Sequence, residues 1–339
     1  MQSFEDNVKL VIVVPVFNTE KYLLHFFEEL KNQSFKDFHV YAVNDGSTDS
    51  SLEMLEKLKS EEKRLTVINQ KNQGVSSARN RALDLIEKSK VKYKYIYFCD
   101  SDDYLERDAL EKVITAMERS EADYGLFSVR KVYKNTYVTA KQKIFSRVNL
   151  TKTDILKQYF RYGFTWRKEP CSEAFLNNKI FMYDVVKTER FDEDLTRSED
   201  FEFFMKVFNN IKKGILVPDA WFNYRMRSSS LTHSVRNSGD FRACLNLFSS
   251  NKKRTLLEKR FIQHKFWRAA YLEIFNENKR IEDIFPNGYQ EKIYLPIFIS
   301  DIKLLFTLFI IPSCIIEALR RFRLLIKSND GNKELILFE

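Results

Sequence analysis

Glycine and proline are scarce in this chain, eight and six among 339 residues, and thirty Phe and sixteen Tyr leave little room for a disordered chain or a repeat array. Cysteine is rarer still. Cys99, Cys171, Cys244 and Cys314 stand far apart with no CxxC pair, a pattern that fits reduced, buried thiols in a cytoplasmic protein better than a disulfide framework or a zinc site. Only Gly46 and Gly74 precede residue 100, so the first third carries no glycine-rich phosphate loop. No secretory leader opens the sequence, because MQSFEDNVK is polar and acidic and the apolar run behind it reads as a strand. Near the C-terminus, the uncharged run Leu304–Ile316 stops at 13 residues and is interrupted by Pro312, short of the ~20 that a membrane-spanning helix needs.

What is present is enough for two domains, or for one large α/β domain with an appendage: 44% of the residues are hydrophobic. The net charge is +9, and residues 241–339, with 17 Lys and Arg against 11 Asp and Glu, hold most of the excess. A basic region of this kind suits anionic lipid, a phosphorylated carrier or nucleic acid.

Val8–Val16 (VKLVIVVPV) is a continuous β-branched run, the pattern of a strand buried on both faces of a parallel sheet. Asn18-Thr19 then opens a helix in which Tyr22, Leu23, Phe26, Phe27 and Leu30 recur at helical spacing. Phe38–Val43 reads as a second strand ending in NDGSTDS, followed by a helix through Leu58. Leu65–Asn69 is a third strand, Val75–Lys88 a third helix, and Tyr95–Phe98 a fourth strand. This alternation is doubly wound, with right-handed crossovers. Further on, Leu110–Met117 and Phe201–Phe208 read as helices, Tyr124–Tyr133 with Thr136–Phe145 as a hairpin, and Val217–Tyr224 as a strand broken near Pro218. Residues 150–180 read as loop and helix, and from Phe241 onward Leu245, Phe248, Leu256, Leu257 and Phe261 have helical spacing.

The stretch YIYFCDSDDYL, residues 95–105, draws most attention. An apolar strand runs straight into Asp100, Asp102 and Asp103, whose charges repel unless a cation or a hydrogen-bonded ligand offsets them. The plain alternative is a solvated turn with an acidic N-cap. Phe17-Asn18, Asn44-Asp45-Gly46 and Asp100–Asp103 all follow strands, so they converge on one edge of the sheet, where open α/β sheets bind ligands.

Taken in order, VVPVFN, VNDGSTDSS, NQGVSSARN, DSDD and RSED resemble a family 2 glycosyltransferase of the GT-A fold, over about residues 8–235. The resemblance implies an inverting, metal-dependent enzyme, of the hexosyl- or N-acetylhexosaminyl-transferase class, that moves a sugar from a nucleotide-sugar donor, a UDP-sugar by expectation. The acceptor is a hydroxyl of a polysaccharide, lipopolysaccharide or lipid-linked saccharide. It implies Asp102 as ligand of Mn²⁺ or Mg²⁺, Asp100 on the ribose or the metal, Asp103 in support and His233 as a further ligand. Asp45 then matches the carboxylate that recognises the base, with Pro15, Phe17 and Asn18 lining the nucleoside pocket. Arg79 lies where relatives place a basic residue near the donor; its rival reading is a surface Arg paired with Asp84 or Asp49. Asp200 is the expected catalytic base and Glu199 an orienting residue, the two pointing apart at a helix start. Arg225, Arg227 and Ser230 resemble a segment that closes over the donor phosphates.

The expected organisation is a doubly wound, mostly parallel GT-A sheet over residues 1–235, with a nucleotide-binding half over about 1–120 and an acceptor half over about 121–235. A helical, basic C-terminal region fills 236–339. Its end interleaves Arg320, Arg321, Arg323 and Lys327 with Leu319, Phe322, Leu324 and Leu325, which suits peripheral contact with the inner face of the plasma membrane. The alternative for this tail is a helix pair that packs in a homo-oligomer. No nucleic-acid partner is implied. Two other readings compete: a sugar-nucleotide pyrophosphorylase, which the missing glycine-rich loop disfavours, and a non-enzymatic basic module at the membrane surface, which would have no use for Asp100, Asp102 or Asp200.

Overall fold

The computed structural model describes residues 7–133, 136–139, 149–156, 176–225 and scattered positions between 243 and 262. The chain divides into two compact units, Met1–Asn278 and Lys279–Glu339, and everything described belongs to the first. Strand β1 (Asn7–Val16) is its spine, with Leu10, Val11, Ile12, Val13 and Val14 wholly buried. Apolar side chains on both faces require neighbours above and below the sheet as well as on either side. Strands β2 (Phe38–Asp45) and β4 (Lys92–Phe98) flank β1 in parallel, and β3 (Leu65–Gln70) extends the sheet beyond β2. Helices α1 (Glu20–Lys31), α2 (Ser51–Glu61) and α3 (Val75–Lys88) make the crossovers.

The expected periodicity in α1 holds: Leu23, Phe26, Phe27 and Leu30 are buried, and each such side chain contributes ~1.5–3 kcal/mol. They share a core with Leu10, Ile12, Val14 and Val16 of β1, and α4 (Ala109–Ser120) adds Leu110, Val113, Ile114 and Met117 to it. On the other face, the rings of Phe191 and Phe203 stack at 3.9 Å, and Phe98 meets both edge-on.

The second half is less regular. After β5 (Tyr104–Leu105) and α4 come β6 (Tyr124–Tyr133), β7 (Thr136–Thr139), β8 (Asn149–Thr151), β9 (Lys179–Met182), α5 (Tyr183–Val186), α6 (Glu199–Val207) and β10 (Lys213–Arg225). Among the described residues ten strands form one sheet, ordered β3-β2-β1-β4-β9-β6-β10-β5, with β7 on β6 and β8 on β10. Strand β9 inserts antiparallel between β4 and β6. The reading of residues 150–180 as loop and helix holds at 152–156, which are helical, and needs correction at both ends, where β8 finishes at Thr151 and the central strand β9 starts at Lys179; residues 157–175 lie outside the described part. The break near Pro218 is a register shift between Val217 and Trp221, where a residue without an N–H is tolerated.

Beyond residue 235, Ala243, Cys244, Leu247 and Ile262 are buried, Arg254 Nη1 donates to the Met205 carbonyl at 3.1 Å, and Asn209 Nδ2 donates to that of Lys253 at 3.3 Å. This stretch is thus built onto the first unit. Leu245, Phe248, Leu256, Leu257, Phe261 and the tail from Leu304 lie outside the described residues. Cys99 is a buried free thiol, and Cys244 is buried as well. Among the described residues, no helix is long and apolar enough to cross a membrane.

Candidate active site

Because β2, β1 and β4 are parallel neighbours, their C-terminal ends share one edge, and the loops that follow are tied together. Asn18 sits in the left-handed region at φ 51°, where Asn is better tolerated than most residues. From there its Oδ1 accepts from the Thr48 amide at 2.8 Å, while its own N–H donates to Ser47 Oγ at 3.1 Å. The starts of α1 and α2 exchange caps: the Glu20 amide donates to Asp49, and the Ser50 amide donates to Glu20, at 3.1 and 2.9 Å. Such bonds satisfy amides that have no partner within their own helix. Thr19 and Ser101 join hydroxyls at 2.9 Å, linking the β1 loop to the β4 loop.

Asp45, at the end of β2, is buried and accepts from Gln70 Nε2 and from the amides of Gln73 and Gly74, at 2.8, 2.9 and 2.8 Å. Two of its bonds therefore fix the turn that starts α3. Glycine is needed on both sides of this contact. Gly46 has φ 69°, and a Cβ there would lie 2.6 Å from the Asn72 nitrogen; Gly74 has φ 92°. Pro15 is half-buried in the β1–β2 ladder, and Phe17 just beyond it is 47% exposed, an aromatic face open to solvent at this edge.

Arg79, one turn into α3, is the centre of the site. It is 4% exposed, and it reaches three carboxylates from two distant parts of the chain. Nη1 donates to Asp200 Oδ1 at 2.6 Å and to Glu199 Oε1 at 3.4 Å, and Nη2 donates to Asp100 Oδ1 at 3.1 Å. The guanidinium also lies 5.2 Å from the centre of the Phe191 ring. Its rival reading as a surface residue fails: Asp84 pairs with Arg190, and Asp49 accepts from Ser51 and Glu20. Burial opposes the charge on Arg79, but Asp200, Asp100 and Glu199 more than offset this and push its pKa above the usual value.

Glu199 and Asp200 were expected to point apart, yet both meet Arg79 Nη1. The helix starts from Ser198 in the left-handed conformation, φ 59°, and the first two side chains of α6 both reach one guanidinium nitrogen. Burial pushes Glu199 up to about 7, with Asp200 adding to the rise and Arg79 opposing it. Asp200 Oδ2 also accepts from the Leu176 amide at 3.2 Å.

At the end of β4, Asp100, Asp102 and Asp103 each place an oxygen within 4.8 Å of the others. Asp102 and Asp103 are buried, whereas the Asp100 side chain keeps 36% of its surface open. Burial pushes Asp100 up to about 6; Arg79 pulls it down, and Asp102 and Asp200 push it further up. Asp103 accepts from the Arg225 amide at 2.8 Å and from Asn177 Nδ2 at 3.0 Å. Arg225 Nε in turn donates to the Asp102 carbonyl at 3.0 Å, and its guanidinium lies 5.2 and 5.5 Å from the rings of Tyr22 and Tyr104. Three hard carboxylate oxygens at this spacing fit an oxygen-seeking dication such as Mg²⁺ or Mn²⁺.

Most of the expected residues thus gather at one edge, and Arg79 ties the strand-end carboxylates to those of α6. Arg227, Ser230 and His233 lie outside the described residues. Sequence reasoning missed Asn177, and the only signal for it was an amide pair, Asn177-Asn178, ahead of a short apolar run.

Residues 11–190 match the family described as glycosyl transferase family 2. A curated relative, the glycosyltransferase GlyA of Streptococcus pneumoniae serotype 4, is 27% identical over 236 residues, which are 66% of this chain but 31% of GlyA; the match therefore spans about a third of that protein. Among solved structures, S. aureus TarS residues 1–349 in complex with UDP-GlcNAc aligns with TM-score 0.60 at 21% identity, covering 86% of this chain and 79% of that one. The mannosyltransferase PcManGT from Pyrobaculum calidifontis, in complex with GDP-Man and Mn²⁺, aligns with TM-score 0.54 at 13% identity, covering 94% and 81%. At these identities the likeness is one of fold.

Proposed function

This chain belongs to glycosyl transferase family 2, and from that premise we propose that it moves a sugar, with inversion, from a UDP-sugar to a hydroxyl of a polysaccharide, lipopolysaccharide or lipid-linked saccharide. One observation carries the reading: Arg79 joins Asp100 of the DSDD stretch to Asp200 of the RSED stretch, so a carboxylate suited to a donor's cation and one suited to a proton stand on opposite sides of one guanidinium. TarS with UDP-GlcNAc and PcManGT with Mn²⁺ support the choices of donor and cation.

Asp102 and Asp100 would hold Mn²⁺ or Mg²⁺, with His233 as a further ligand. When bound, the ion offsets the charge that grows on a departing diphosphate. Phe17 offers its open ring to the nucleobase, with Pro15, Asn18 and Asp45 around it. Arg225, already folded over Asp102 and Asp103, takes the donor phosphates together with Arg227 and Ser230. Asp200 accepts the proton of the acceptor hydroxyl as it attacks C1 from the face opposite the diphosphate. The bonds to Arg79 and to the Leu176 amide hold Asp200 in one orientation, and Glu199 shares the same cation. The basic C-terminal region keeps the protein at the cytoplasmic face of the membrane, near a lipid-linked acceptor.

The test is a release assay with UDP-, GDP- and dTDP-sugars, with and without Mn²⁺. Cation-dependent turnover of a UDP-sugar that disappears in Asp102→Ala supports the reading. Turnover that needs no cation, or that survives in Asp102→Ala, contradicts it.

A further inference from the structure

We propose that Asn177 is a positioning residue for the cation site, one that holds Asp100 and Asp103 together without introducing a charge of its own. The inference rests on the cation reading above. Nδ2 of Asn177 donates to Asp100 Oδ2 at 3.1 Å and to Asp103 Oδ2 at 3.0 Å. An amide nitrogen has two hydrogens, one for each carboxylate, and the reversed amide would set an oxygen against two anions. The orientation is therefore fixed, and Asn177 Oδ1 is left buried with no partner among the described residues.

The turn that carries Asn177 is fastened on several sides. Its carbonyl accepts from Tyr97 Oη at 2.6 Å, the Leu176 amide reaches Asp200, and the Asn178 carbonyl accepts from the Phe127 amide at 3.0 Å. Asn177 is itself 4% exposed. One turn, just ahead of β9, thus touches the carboxylates at the end of β4 and the proposed base on α6.

The residue type matters. A Lys at this point would neutralise the carboxylates but would repel a dication, and an Asp would add a fourth negative charge. A neutral double donor lowers the repulsion between Asp100 and Asp103 and leaves the net charge to attract the ion. With one oxygen of Asp103 on Asn177 and the other on the Arg225 amide, Asp103 acts as a support for the two ligands before it.

Mn²⁺ binding to the full chain, read from the electron paramagnetic resonance signal of free Mn²⁺, tests this in wild type, Asn177→Ala and Asn177→Ser. Outer-shell partners of metal ligands typically carry 10–100-fold in affinity. Asn177→Ala should weaken Mn²⁺ by about that factor and raise KM for the donor more than it lowers kcat; Asn177→Ser, with one donor left, should fall between. Should the Ala variant not fold, the Ser variant decides by itself: weaker Mn²⁺ binding than wild type supports the proposal. Wild-type affinity in a folded variant overturns it, because a residue that only holds the turn would change stability and not the ion. A wild type that binds no Mn²⁺ overturns the cation reading and this inference with it.

Discussion

Two clusters of carboxylates, half-buried or buried, lie side by side in this protein, and they are balanced in different ways. Glu199 and Asp200 both pair with the buried guanidinium of Arg79, through the same nitrogen. The cluster at the end of β4 meets that guanidinium through Asp100; Asn177 and the Arg225 amide, both neutral donors, supply further bonds to Asp100 and Asp103. The difference suits two tasks. A carboxylate that takes a proton must be held still, whereas carboxylates that take a dication must keep their negative charge.

The strongest way to break this contrast is to remove the built-in cation. Arg79→Met leaves three half-buried carboxylates facing one another without their cation, and unfolding in urea should show a loss of up to ~3–5 kcal/mol. Asp200→Asn separates the tasks instead. UDP binding should persist while transfer to acceptor falls by ~10²–10⁴, as when a general base is removed. Gly46→Ala tests the scaffold beneath both clusters: the new Cβ meets the Asn72 backbone at 2.6 Å with φ at 69°, and a cost of ~1–3 kcal/mol should appear in thermal unfolding.

The smallest effect concerns pH. Glu199 moves from an ordinary 4.5 to about 7, so the folded protein binds a proton that the unfolded chain has released. Stability from this group is therefore present at low pH and is lost as pH rises from about 4.5 to 7. Glu199→Gln should flatten that fall by ~1 kcal/mol or somewhat more, since one pKa unit is worth ~1.4 kcal/mol and partial exposure screens it. Unfolding free energies at several pH values in this window provide the check.

The two halves of the sheet also differ in how much the residues alone reveal. Strand β1 is wholly buried from Leu10 to Val14, β2 and β4 end in buried runs over residues 40–45 and 95–98 that turn residues follow, and α3 was legible to both of its ends. Strand β9 has four residues, the first a wholly buried lysine, Lys179, and nothing in that pattern marks a central strand. Its antiparallel insertion depends on partners that begin far off in the sequence, at Lys92 and Tyr124. The site divides along the same line. Asp45, Asp100 and Asp102 follow recognisable strands, and Asp200 stands in a motif, so the resemblance found them. That Arg79 would join Asp100 to Asp200 could not be read, because α3 and α6 meet only through the tertiary fold, with Arg79 and Asp200 121 residues apart in sequence.

Calorimetric titration of UDP, with and without Mn²⁺, into wild type, Asp102→Ala and Asp200→Asn is the most direct test of the division between the two clusters. Mn²⁺ should tighten UDP equally in wild type and Asp200→Asn and make no difference to Asp102→Ala. The same Mn²⁺ dependence in all three proteins, or its loss in Asp200→Asn alone, would contradict a cation site at the end of β4.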